Sequence, residues 1–135
     1  MEIKKVSDAA LFAIEIAQKL NVPVCLTVID TGANPVYTIR MEDANFMTLK
    51  SAFRKAKTAF LFKCPSHVLA NIVQQVPKFA KEIDKLPGDA MMIEGGLPIE
   101  QNGKFIGGVG VAGGNFEQDL AVASAFMQNF LSEVI

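Results

Sequence analysis

The chain has 135 residues, of which 50% are hydrophobic and 20% are charged. Domains cluster at roughly 100–150 residues, and a composition this apolar excludes intrinsic disorder. Thirteen basic residues against 14 acidic ones give a formal net charge of −1, which provides no strong field for holding nucleic acid or an anionic membrane. We therefore expect one globular domain over residues 1–135 that binds neither.

Targeting signals are weak. No run in the sequence approaches the ~20 consecutive apolar residues of a membrane span. The N-terminal segment starts with basic residues, but Asp8, Glu15 and Gln18 interrupt its apolar part and no small-x-small cleavage site follows, so it makes a poor signal peptide. We expect a cytoplasmic location.

Two predicted helices are unusually apolar. The first runs from about residue 7 to residue 20 with Ser7 as its N-cap, and the last runs from residue 116 to about residue 131. The last helix has no charge between Asp119 and Glu133. A helix that is apolar over more than half of its circumference usually contacts two partners. Because the sheet supplies only one of them, we expect a homo-oligomer.

The first half of the chain also contains a hairpin and a second helix. Strands are predicted over residues 22–30 and 35–40, which are rich in β-branched residues, and the turn-forming segment DTGAN connects them. A helix follows over residues 46–62, with Asn45 as a candidate cap. Pro65 and Pro77 then predict short helical turns and loops as far as Gly88.

The last third of the chain predicts three more strands. A short strand covers residues 90–94, and strands over 97–100 and 104–111 pair around the strong turn signal Asn102-Gly103. Asn115 and Gln118 form a capping box for the last helix. Hairpin connections dominate this order, so we predict an α+β fold with a five-stranded, mainly antiparallel sheet and helices packed on it.

The segment GVGVAG at residues 108–113 satisfies the G-x-G-x-x-G pattern of dinucleotide-binding proteins. A Rossmann unit needs a second parallel strand after the following helix, ending in an acidic residue, and no such strand pattern follows here. Glycines in a strand also let another backbone or a flat ligand approach closely. We interpret the glycines in that way.

Lys55 lies among small and hydroxylated residues of the second helix, including Ser51 and Thr58. An ammonium group in such surroundings needs a carboxylate partner or a ligand, and Asp119 is a candidate partner. A structural and a functional ion pair are equally compatible with this pattern. Arg40 ends the second strand, where its guanidinium could bind a carboxylate of the protein or of a substrate.

His67 is the only histidine. No spaced cluster of cysteine, histidine or acidic residues accompanies it, so the sequence predicts no metal site of the zinc type. His67 could serve as an axial haem ligand, as any accessible histidine could. A catalytic triad is a weak interpretation, because neither Ser66 nor Cys64 lies in a nucleophile motif.

Several segments together resemble a known family. They are VPVCLTVIDTGANPVYTIRMEDA, AFRKAKTA and GGLPIEQNGKFIGGVGVAGG, followed by Asp119 and Ala123, and they cover residues 22–123. In these segments the chain resembles the haem-binding-protein HbpS, GlcG and PduO C-terminal-domain family, including its DhaG-like members. The resemblance implies a profilin-like or PAS-like fold with a five-stranded sheet, and a homo-oligomer.

The resemblance also implies a ligand-binding or accessory role. Some relatives bind haem, and others accompany the genes of glycerol or propanediol dehydratases. A haem ligand of PduO-type members is a histidine in the first helix, and residues 7–20 of this chain contain no histidine. The polar and glycine positions that match the family, and that would surround a pocket, are Arg40, Asp43, Lys55, Thr58, Gly95, Gly96 and Asp119.

Three hypotheses follow. The leading one is a small-ligand-binding or accessory protein that takes an anionic or tetrapyrrole-like molecule, with haem, a corrinoid or a small carboxylate as candidates. Arg40 and Lys55 would bind carboxylates, and Asp119 would orient Lys55. The second is an enzyme that moves a proton on a carbonyl or carboxylate compound, with Lys55 as the base. The third is a structural or chaperone subunit of a larger enzyme.

Overall fold

The computed structural model describes residues 1–85 and 90–132. The elements of this part of the chain are, in order, α1 (Ile3–Lys19), β1 (Cys25–Ile29), β2 (Pro35–Arg40), α2 (Phe46–Phe62), α3 (Ser66–Gln75), α4 (Pro77–Lys85), β3 (Gly96–Gln101), β4 (Lys104–Ala112) and α5 (Phe116–Leu131). None of the described helices is long and apolar enough to span a bilayer.

The strands form one antiparallel sheet in the order β2-β1-β4-β3. Both predicted hairpins are confirmed. In the first, the Asp30 carboxylate accepts hydrogen bonds from the backbone N–H groups of Gly32 and Asn34, at 2.9 and 3.0 Å. In the second, Asn102 and Gly103 have positive φ angles of 54° and 79°, as a tight hairpin turn requires. The α+β class and the antiparallel sheet are therefore as predicted.

The sheet has four strands in the described residues, so the predicted strand over residues 90–94 is wrong. The backbone of this segment makes its hydrogen bonds to side chains of helices. The Met91 N–H donates to the Thr58 hydroxyl at 2.8 Å, and the Ile93 carbonyl accepts from the Ser66 hydroxyl. These bonds replace the strand ladder that a fifth strand would need.

Two helix predictions also need correction. Helix α1 begins at Ile3, and Ser7 lies inside it, donating its hydroxyl to the Lys4 carbonyl at 3.1 Å. Val6 is fully buried in the core, which favours the earlier start. The segment after Pro65 forms two helices, α3 and α4, where only short turns were expected. The capping box at the start of α5 is confirmed.

The helices cover both faces of the sheet. Helix α2 packs on one face, against β4, β1 and β3, whereas α1 and α5 pack on the other face and against each other. The main apolar core lies on the side of α1 and α5. Because α5 is the second apolar partner of α1, the composition of α1 needs no second subunit. The homo-oligomer stays a prediction.

The glycines of β4 allow α2 to approach the sheet closely. A Cβ atom at Gly110 would overlap the backbone carbonyl oxygen of Ala52, and one at Gly108 would press on the carbonyl of Ala56 at 2.5 Å. Both alanines are fully buried. The glycines of the G-x-G-x-x-G segment therefore make room for the backbone of α2.

The substitution Gly110→Ala tests this contact. We expect it to lower the free energy of unfolding by about 1–3 kcal/mol, because the added methyl group forces α2 away from β4. Urea denaturation followed by circular dichroism measures the change. Ser124→Ala, at an exposed position of α5, is the control and should change the stability little. An unchanged stability of Gly110→Ala would contradict the close contact.

Candidate functional site

A buried ion pair joins α2 to α5. The Lys55 Nζ lies 2.9 Å from the Asp119 Oδ2, and both residues are only 2% exposed. The same Nζ donates to the Val111 carbonyl oxygen at 2.9 Å, at the end of β4. The predicted pairing of Lys55 with Asp119 is confirmed.

The Asp119 carboxylate has further donors around it. Its Oδ1 accepts a hydrogen bond from the Gly114 backbone N–H at 2.8 Å. Burial raises the pKa of the Asp119 carboxyl above its usual value, and the Lys55 ammonium and the N–H groups of Gly114 and Gly113 partly oppose this effect. The ionised carboxylate therefore depends on these neighbours, of which the ammonium is the strongest.

Two glycines pack around Lys55. Gly95 has a φ of 124°, and a Cβ atom there would overlap the Val111 carbonyl and lie 3.0 Å from the Lys55 Nζ. Gly96 lies against the Lys55 backbone carbonyl, and its N–H donates to the Ser66 hydroxyl at 2.9 Å. Gly95 therefore makes room for the Lys55 side chain, and Gly96 makes room for the backbone of α2 at Lys55.

A cavity of about 190 Å³ lies over the ion pair. Its lining residues come from the starts of α2 and α5, the loop before α5 and the segment before β3. They are Asn45, Met47, Thr48, Ser51, Lys55, Met91, Ile93, Ala112, Gly113, Gly114, Phe116 and Asp119. Lys55 and Asp119 are thus brought together at this cavity, at the end of β4.

The start of α2 makes this cavity attractive to an anion. The first turn of α2 contains no acidic residue, and the side chain of its N-cap, Asn45, makes no capping hydrogen bond. The positive end of the helix dipole therefore has no carboxylate of its own there. By contrast, the first turn of α5 already contains Glu117 and Asp119 and a complete capping box. An anion in the cavity would face α2.

Two buried hydroxyls hold the wall of the cavity that contains Met91 and Ile93. Thr58 is 2% exposed, and its hydroxyl accepts from the Met91 N–H while donating to the Arg54 carbonyl at 2.7 Å. Ser66 is fully buried, and its hydroxyl donates to the Ile93 carbonyl and accepts from the Gly96 N–H. Thr58, a predicted site residue, thus supports the cavity from behind.

Arg40 and Asp43 do not line the cavity. Arg40 is exposed, and its Nη1 donates to the carbonyls of Met41, Glu42 and Ala44 at 3.1, 3.2 and 2.6 Å. Its guanidinium therefore holds the loop that leads to the start of α2. Asp43 is an exposed residue of that loop.

His67 lies in the first turn of α3 and is half-buried. Its Nδ1 is buried and has no hydrogen-bond partner among the described residues. His67 does not line the cavity over the ion pair.

A larger depression of about 930 Å³ lies between the start of α1, the β3–β4 turn and the end of α5. Its charges have both signs, and Lys4 and Asp8 pair with each other at 2.9 Å. All of its described lining residues are exposed or half-buried. It therefore lacks the buried charged groups of the cavity over the ion pair.

Sequence reasoning missed several lining residues. They are Met47, Met91, Ile93 and Phe116, whose pattern in the sequence is that of ordinary apolar positions. Their position depends on contacts between segments far apart in the chain. One usable signal existed: Met47 and Phe116 fall in the first turns of two helices, where an apolar side chain is not needed for the core.

Double-mutant analysis tests the ion pair. Lys55→Met or Asp119→Leu alone should lower the free energy of unfolding by roughly 3–5 kcal/mol, because each leaves one buried charge without its partner. The double variant should recover most of this loss, since two apolar side chains can replace a buried pair. Urea denaturation of the four proteins provides the cycle. Additive losses in the double variant would contradict the coupling.

Comparison with known proteins identifies the family to which the chain belongs. The model of the family described as "Haem degrading protein HbpS-like" matches residues 1–128. The corrinoid adenosyltransferase PduO of Salmonella typhimurium is 35% identical over 111 residues, which are 82% of this chain and 33% of that protein. The chain thus spans about a third of the length of this relative.

Two further matches cover most of both chains. An uncharacterised 15.0 kDa protein from the dhaT-dhaS intergenic region of Citrobacter freundii is 34% identical over 114 residues, 84% of this chain and 80% of that protein. The crystal structure of a PduOC:heme complex superimposes with a TM-score of 0.88 at 30% identity, covering 96% of this chain and 94% of that chain. The sequence and the fold agree with the resemblance inferred from the motifs, and the chain belongs to the HbpS-like family.

Proposed function

We propose that this protein binds a small molecule through a carboxylate group in the cavity over Lys55 and Asp119. The observation that carries the proposal is a buried ammonium group at a cavity where a helix begins without an acidic residue. Lys55 uses two of its three N–H groups on Asp119 and Val111, which leaves the third for a ligand oxygen. The dipole of α2 adds to this attraction.

The other two hypotheses have less support. The Lys55 Nζ forms an ion pair with the Asp119 carboxylate, and an amine paired in this way offers no free lone pair for abstracting a proton. A purely structural subunit would not need a cavity with a charged floor. An accessory role beside glycerol or propanediol dehydratases is compatible with ligand binding, as are a homo-oligomer, a cytoplasmic location and a profilin-like or PAS-like fold.

This cavity is too small to enclose a whole haem. Pockets that enclose drug-sized ligands measure roughly 300–1,000 Å³, whereas this one measures about 190 Å³. The only histidine does not line it. A corrinoid is larger still than a haem. The described residues of one chain therefore fit a small carboxylate better than either tetrapyrrole.

Haem outside this cavity is the second candidate. The family description names haem, and the PduOC structure is a haem complex. His67 is the only histidine of the sequence, so its imidazole is the group that would serve as an axial ligand. Haem would supply an iron centre, and the chain would supply the imidazole and the surface around it.

Titration with sodium acetate, followed by backbone amide NMR, tests the carboxylate proposal. We expect saturable shifts of the Met47 and Gly114 signals, because both residues line the cavity. The double variant Lys55→Met/Asp119→Leu should lose these shifts while it retains the fold. Lys50→Met, at an exposed position of the same helix, is the matched control and should keep them. Shifts that persist in the double variant, or that never saturate, would refute the proposal.

Titration with ferric haem tests the second candidate. If His67 ligates the iron, the Soret band shifts on binding, and His67→Ala changes the position or the strength of that shift. Phe79→Leu, a conservative change on the neighbouring helix α4, is a control for general effects on this region. A spectrum equal to that of free haem at all protein concentrations would count against haem binding.

A further inference from the structure

The cavity over the ion pair has an apolar wall opposite its charged floor. This wall consists of Met47, Met91, Ile93 and Phe116. Met47 is 60% exposed and Phe116 is 54% exposed, although both are large apolar side chains. Burying such surface is favourable, so a ligand that covers these two side chains gains affinity from them. The floor pairs a positive with a negative charge, so the preference for an anion comes from the start of α2, and the apolar lining favours an apolar body.

The volume of the cavity, which is open to solvent on one side, matches about one ring. An apolar protein cavity of ~150 Å³ is large enough to hold benzene. The cavity of about 190 Å³ therefore has room for one six-membered ring and a small substituent. A second fused ring would extend through its open side.

The chemistry of the wall favours an aromatic ring over an aliphatic one. Two of the four apolar residues are methionines, whose thioether sulfurs make favourable contacts with aromatic rings and whose flexible side chains adapt to a flat shape. Phe116 adds a ring that can stack or meet an edge. Methionine and phenylalanine thus flank the same opening from the first turns of α2 and α5.

We propose that the ligand class is a monocyclic aromatic carboxylate of the benzoate type. This inference rests on the carboxylate-binding function proposed above and specifies its substrate class. The carboxylate lies toward Lys55 and the start of α2, and the ring covers Met47 and Phe116. No covalent step is involved, since recognition requires only charge, hydrogen bonding and apolar contact.

Isothermal titration with acetate, benzoate and benzamide tests the ligand class. Benzoate should bind about tenfold or more tightly than acetate, because it buries a ring as well as a charge. It should also bind at least tenfold more tightly than benzamide, which has the ring without the charge. Met47→Ala and Phe116→Ala should each weaken benzoate binding several-fold more than they weaken acetate binding. Both side chains are more than half exposed, so these variants should fold normally.

A control variant tests whether the loss of benzoate binding is specific to the cavity, and each contrary outcome overturns a different part of the proposal. Leu61→Ala removes an exposed apolar side chain from the far end of α2 and should not affect benzoate binding. Equal affinities for acetate and benzoate would overturn the aromatic class and leave the carboxylate site in place. Failure of both to bind would overturn the carboxylate site itself. If the Met47 and Phe116 variants changed the mass of the assembly but not benzoate affinity, the wall would be a subunit contact and the inference would be wrong.

Discussion

The pairing of Lys55 with Asp119 is the interaction on which the site depends. It links helices that cover opposite faces of the sheet, at the point where β4 ends. The close contact between α2 and the glycines of β4 brings the lysine within reach of the carboxylate. Since two apolar side chains could hold the same helices together, stability alone does not explain why this buried pair is charged. Under the proposal that the adjoining cavity binds a carboxylate, ligand binding explains the charges.

Local chemistry explains what could be predicted from the sequence. Both hairpins and the capped start of α5 follow from turn and capping residues within a few positions of each other. The pairing of Lys55 with Asp119 was also predictable, because two charges in otherwise apolar surroundings need each other. Contacts between segments far apart in the chain were not predictable. Residues 90–94 form an apolar run that looks the same whether its backbone bonds to a strand or to hydroxyls, and Arg40 could bind its own loop as easily as a ligand.

Membership in the HbpS-like family fixes the fold more firmly than the ligand. A relative with the same fold is known as a haem complex, but this chain has its single histidine in α3, away from the cavity. The cavity has instead a charged floor and a methionine-rich wall.

The hydroxyl attachment of the segment with Met91 and Ile93 has an evolutionary consequence. Because Thr58 and Ser66 hold this backbone, no sheet ladder depends on the identity of the side chains that it presents. Mutations there can reshape the recognition surface while strand pairing stays intact. The hydrogen bonds that hold this segment are thereby independent of the side chains that it places in the cavity.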